Sequence, residues 1–147
     1  MEKEFRITIS APREKVWDAL WNDKTYTQWT APFGEGSRAE TDWKTGSKVL
    51  FLGNSNSGMI SSITDSKPNE HMLFQHQGIL NKGVEDLDSE DAKRWATSTE
   101  EYTLRTVDNG TELIVHMRGD IPEGFVAYFL DAWPKALDKL KEIAEKN

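Results

Sequence analysis

Phe5, Ile7 and Ile9 alternate with Arg6, Thr8 and Ser10, a period of two that predicts a half-buried strand. Pro12 suits the first position of a helix, and Glu14 suits its electropositive start. Val16, Trp17, Leu20 and Trp21 then recur at helical spacing and give one apolar face. Asp23 is placed to cap a second short helix carrying Tyr26 and Trp29, which must stop before Pro32.

Beyond position 37 the pattern becomes extended. Strands are expected over Arg38 to Trp43 and Lys48 to Leu52, joined by a turn at Lys44-Thr45-Gly46. The polar run Gly53 to Gly58 reads as a hairpin loop, Met59 to Ser66 as the next strand, and Lys67-Pro68-Asn69-Glu70 as a turn. His71 to Gly78 alternates, placing Met72, Phe74 and His76 on one face. The acidic stretch Val84 to Ala92 reads as a loop, and Trp95 to Val107 as a long strand. Asp108-Asn109-Gly110 is the strongest hairpin signal, with Thr111 to Arg118 as the returning strand.

Phe125, Phe129, Trp133, Leu137 and Leu140 form the apolar stripe of a long C-terminal helix. The sheet is the only surface large enough to cover that stripe. Pro134 removes one backbone hydrogen bond from the helix, so a kink is expected there. The order is strand, two helices, six strands, long helix: an α+β domain spanning 1–147.

Composition changes this picture mainly by exclusion. With no cysteine, disulfides, thiolate metal sites and cysteine nucleophiles are ruled out. The net charge of −7, with Lys and Arg scattered, argues against nucleic acid as a partner. No apolar run is long enough to span a bilayer and MEKEFRITIS lacks a signal-type apolar core, so the expected setting is cytoplasmic, without membrane insertion. The six Trp residues are an excess for this length, and each suits either a core or a concave site.

Chemical motifs are sparse. His71 and His76 lie an odd number of residues apart, so on one strand they face opposite ways and cannot chelate together. Asp86 to Asp91 begins like a calcium loop but has Asp91 where glycine is required. Phosphate-binding loops and a nucleophile elbow are absent. No metal or cofactor is expected. Asn109-Gly110-Thr111 matches a glycosylation sequon that the hairpin turn explains by itself.

The segment Ile9-Ser10-Ala11-Pro12-Arg13-Glu14-Lys15-Val16-Trp17-Asp18-Ala19-Leu20 resembles the opening of START-like (SRPBCC) domains. Asp131 to Leu140, with Trp133-Pro134, resembles their closing helix, and Gly110-Thr111-Glu112-Leu113 their late hairpin. Within that superfamily the chain is most similar to the branch named after the C-terminal domain of the heat-shock-protein-ninety ATPase activator. The resemblance implies a helix-grip fold: a curved seven-stranded antiparallel sheet around the C-terminal helix, two short helices after the first strand, and an apolar cavity between.

A cavity of that kind makes a small hydrophobic or aromatic ligand (lipid-, sterol- or polyketide-like) the expected partner. Alternation and helix phase nominate Trp29, Phe33, Trp43, Phe51, Met59, Phe74, Trp95, Tyr102, Met117, Phe125, Phe129 and Trp133 as lining, with His76 as an inward polar group. Phe125, Phe129 and Trp133 are expected to be buried by the gripped helix. Glu100 shares a face with Tyr102 and Leu104, where its carboxyl would have a raised pKa, or else points to water. No residue is assigned a catalytic role. A cavity enzyme of cyclase, dehydratase or hydrolase type, using His76, Tyr102 or a carboxylate, is one alternative. A chaperone-accessory module is the other, ranked behind ligand binding because the sequence has no counterpart of the activators' separate N-terminal domain.

Overall fold

The computed structural model describes residues 2–146, so Met1 and Asn147 of the expected 1–147 domain lie outside the described residues. The chain opens with β1 (Glu2–Ile9), α1 (Arg13–Trp21) and α2 (Asp23–Trp29), followed by a 3-10 turn at Ala31–Phe33. The sheet then builds through β2 (Arg38–Glu40), β3 (Lys48–Leu52), β4 (Gly58–Lys67), β5 (His71–Asn81) and β6 (Val84–Asp86). After α3 (Glu90–Trp95) come β7 (Thr99–Val107), β8 (Gly110–Arg118) and α4 (Glu123–Lys146). The strands form an open antiparallel sheet in the order β1-β8-β7-β5-β4-β3-β2, with β6 paired to β5. This is the α+β helix-grip architecture, with one short strand more than the seven expected.

The core forms where alternation directs it. Ile9, Leu104, Leu113, Val115 and Met72 from the sheet meet Val16 and Leu20 of α1 and Trp133, Leu137 and Leu140 of α4. Burying one such leucine stabilises the fold by about 1.5–3 kcal/mol. Two polar ties hold the end of α4 against the end of β1: the Ser10 N–H donates to Glu145 Oε2 at 2.8 Å, and Lys141 Nζ donates to the Thr8 carbonyl at 3.2 Å.

Several expected boundaries are corrected. The cap of α2 is Asn22, whose side chain accepts from the Lys24 N–H at 3.0 Å; Asp23 is the first helical residue. Pro12 precedes α1 instead of opening it, because its extended φ and ψ of −69° and 160° do not belong to the helix. The strand expected to reach Trp43 ends at Glu40, and Trp43 sits in the irregular segment that follows, with φ of 62°. The stretch Val84 to Ala92 is not a loop. Lys82 and Gly83 both take positive φ, 50° and 85°, which closes a tight hairpin between β5 and β6. Ser89 then caps α3 through a 3.1 Å bond from the Ala92 N–H. Trp95 is therefore helical, and the strand after it starts at Thr99. The α4 helix runs unbroken through Pro134.

Candidate functional site

A pocket of about 790 Å3 lies between the concave sheet face, the α2–β2 segment, α3 and the N-terminal half of α4. Its wall is chiefly apolar and rich in aromatic rings. Trp95 meets Phe125 edge-on at 5.1 Å between ring centroids, and Phe129 at 6.0 Å. On the other side Phe33 meets Trp133 at 4.9 Å. The helix stripe does not bury all its rings: Phe125 and Tyr128 are 44% and 40% exposed, so they stand at the solvent edge of the pocket. Phe125 thus departs from the burial expected of it, because the sheet grips α4 only from about Ala132 onward.

Strand pairing carries the polar groups to this wall. Phe74 pairs with Glu100 and Met72 with Tyr102, so β5 and β7 present His76, Glu100 and Tyr102 on one face. A bulge between β4 and β5 shifts the register so that Ser61 lies opposite His76. Ser61 Oγ and His76 Nδ1 are 2.6 Å apart, and both side chains are buried. On the other side of the ring, His76 Nε2 stands 3.8 Å from Glu100 Oε1, too far for a hydrogen bond. Glu100 Oε2 accepts from the Tyr102 hydroxyl at 2.6 Å.

Burial sets the protonation of this group. It pushes His76 down to about 4, so the ring is neutral at physiological pH. It pushes Glu100 up to about 7, against the bond from Tyr102, which favours the ionised form. The Tyr26 and Tyr102 phenols are raised, first by burial and then by the Glu100 charge, and stay neutral. Glu100 Oε1 has no hydrogen-bond donor among the described residues, and the Trp133 indole Nε1 has no acceptor. Ser61 cannot serve as a nucleophile: it is 0% exposed and does not line the pocket.

The nominated residues divide cleanly in position. Trp29, Phe33, Phe51, Met59, His76, Trp95, Tyr102, Met117, Phe125, Phe129 and Trp133 stand at the pocket wall. Trp43 and Phe74 do not. They pack against Trp21, at 4.8 and 5.5 Å, in an aromatic core behind it. Trp43 is turned there by its position outside any strand. Glu100 faces inward and not to water, its side chain 16% exposed. Tyr26, Ile79 and Tyr128 also line the pocket without having been nominated. Tyr128 precedes Phe129 on α4 and is off the apolar stripe, so spacing alone does not select it. Among the described residues, no cluster of His, Asp or Glu could hold a metal ion.

A sheet gripping a long C-terminal helix, with short helices closing one side, defines a START-like domain. More particularly, the chain belongs to the family described as Activator of Hsp90 ATPase homolog 1-like protein, whose profile matches residues 10–145. Protein MLL2253 of Mesorhizobium loti shares the fold with a TM-score of 0.77 at 19% identity, over 100% of this chain and 98% of its own. The Aha1 dimer of Colwellia psychrerythraea gives 0.75 at 23% identity, over 99% and 96%. CalU16 of Micromonospora echinospora gives 0.69 at 18% identity, over 99% and 66%. At these identities the likeness is one of fold. No curated protein matches the sequence. No helix among the described residues is long and apolar enough to cross a membrane.

Proposed function

We propose that this domain binds a small hydrophobic or aromatic molecule in the pocket between sheet and α4. The observation that carries the reading is the wall itself: a pocket of about 790 Å3 lined mainly by apolar side chains, many of them aromatic, with a few inward polar groups. Small-molecule sites commonly occupy roughly 300–1,000 Å3 and combine apolar walls with a few orienting polar atoms. Glu100 Oε1 is such an atom, an acceptor with no hydrogen-bond donor among the described residues. Thermal unfolding with panels of polycyclic aromatics, sterols and fatty acids tests it. A binder present at a hundredfold excess over its Kd adds about 2.7 kcal/mol. Filling the pocket with Met59→Trp should abolish that gain. No stabilisation by any class would overturn the proposal.

Glu100 favours one alternative, a cavity enzyme in which its carboxyl exchanges a proton with the ligand at a pKa near the working pH. Extraction of the ligand after incubation separates the two: an unchanged mass supports binding alone. A changed mass that E100Q prevents supports catalysis. Contact with an Hsp90-class chaperone is suggested by family membership, and a pull-down that never recovers one would remove it.

A further inference from the structure

We infer that the pocket selects a hydrophobic amine, whose ammonium group sits against Glu100 Oε1 within the aromatic wall. The inference rests on the ligand-binding reading above and adds the charge of the ligand to it.

The lining is electrostatically one-sided. Asp86, Asp91 and Glu100 contribute carboxyl groups, whereas no Lys or Arg lines the pocket. Its one basic group, His76, is held neutral by burial. The phenols of Tyr26 on α2 and Tyr102 on β7 lie within reach of the Glu100 charge and supply no positive charge. Asp86 at the rim is held ionised, its carboxylate bonded by Ser89 and by the backbone N–H groups of Ser89 and Asp88. A fatty acid or other carboxylate would bring a like charge toward these groups without a cation to receive it. An ammonium ion meets the opposite situation.

Glu100 Oε1 offers an acceptor with no hydrogen-bond donor among the described residues. Charge-assisted bonds of this kind strengthen in a site of low dielectric. The faces of Trp95, Phe129 and Trp133 carry negative quadrupoles that attract cations and at the same time accept an apolar body.

The test is isothermal titration of the intact chain at about pH 8 with three matched probes: 2-(1-naphthyl)ethylamine, 2-(1-naphthyl)ethanol and 1-naphthaleneacetate. The amine should bind roughly tenfold tighter than the alcohol, with the acetate weakest. E100Q should lose about tenfold for the amine and clearly less for the alcohol. At about pH 6, where Glu100 is largely protonated, amine binding should release a proton, seen by repeating the titration in buffers of different ionisation enthalpy. That readout needs only the unmodified chain. Equal binding of amine and alcohol without proton release would overturn the charge inference and leave the ligand-binding reading standing. Tightest binding by the acetate would do the same. If none of the probes binds and the wider ligand panels also fail, both readings fall.

Discussion

The Tyr102 hydroxyl donates a 2.6 Å hydrogen bond to Glu100 Oε2 although the two residues are two apart on one strand. They share the concave face, and the bond folds the carboxyl down against the phenol. This leaves Oε1 outside that bond, with His76 Nε2 at 3.8 Å as its neighbour, on a side chain that lines the pocket. The bond favours the ionised carboxylate, but desolvation outweighs it and raises the pKa from 4.5 to about 7.

A raised carboxyl pKa has a definite sign in stability. The folded state holds the Glu100 proton more tightly than the unfolded state, so this contribution is complete below about pH 4.5 and lost as pH rises through about 7. The difference amounts to at most about 3 kcal/mol. E100Q should therefore be more stable than the parent at about pH 8 and nearly equal to it at about pH 4. Urea midpoints across this range measure the effect.

On the opposite face His71 bridges Asp65 and Glu101, with ring nitrogens 2.5 and 2.6 Å from their carboxylates. Partial burial pulls its pKa down, but the hydrogen bonds to Glu101 and Asp65 outweigh that and leave it above 6.5. The stabilisation is full below 6.5 and is lost as pH rises through the raised value. H71Q should flatten that part of the stability profile. An NMR titration of the imidazole would show the raised pKa directly.

Ser61 and His76 make the opposite case. Because burial depresses His76 to about 4, its contribution is full above 6.5 and lost as pH falls toward about 4. Ser61→Ala leaves His76 Nδ1 without its 2.6 Å partner in a buried site. The expected cost is about 1–3 kcal/mol, read from chemical denaturation at neutral pH.

Pro134 is exposed in the middle of α4, where it cannot donate a helical hydrogen bond. Pro134→Ala restores that bond and buries nothing new. We expect it to stabilise the protein by about 1–3 kcal/mol in the same assay. Loss of stability would mean that the proline shapes the helix for its packing on the sheet.

Most of the architecture was legible because it depends on periodicity. The alternation of Met72, Phe74 and His76 and the Asp108-Asn109-Gly110 turn placed β5 and the β7–β8 hairpin directly. The stripe through Leu140 placed α4 over the core, although Phe125 at its free end escaped burial. What periodicity missed was local. A three-residue β6 and a six-residue α3 are too short to show a period, and the acidic residues around them looked like a solvated loop. Their signals were turn chemistry at Lys82-Gly83 and the Ser89 cap followed by Glu90 and Asp91. Trp43 departs from the expected strand for another reason: its positive φ takes it out of the sheet, and its ring packs against Trp21 in the core. The pairing of Ser61 with His76 depends on a bulge, which leaves no trace in residue pattern.

The measurement that bears most directly on the ligand-binding proposal is native mass spectrometry of the protein purified from its own host without denaturation. A reproducible extra mass of a few hundred daltons that disappears on unfolding is expected. Met59→Trp, which fills the pocket, should eliminate the extra mass while the protein remains folded. An apo mass in both proteins, together with no stabilisation by any ligand class, would contradict the proposal.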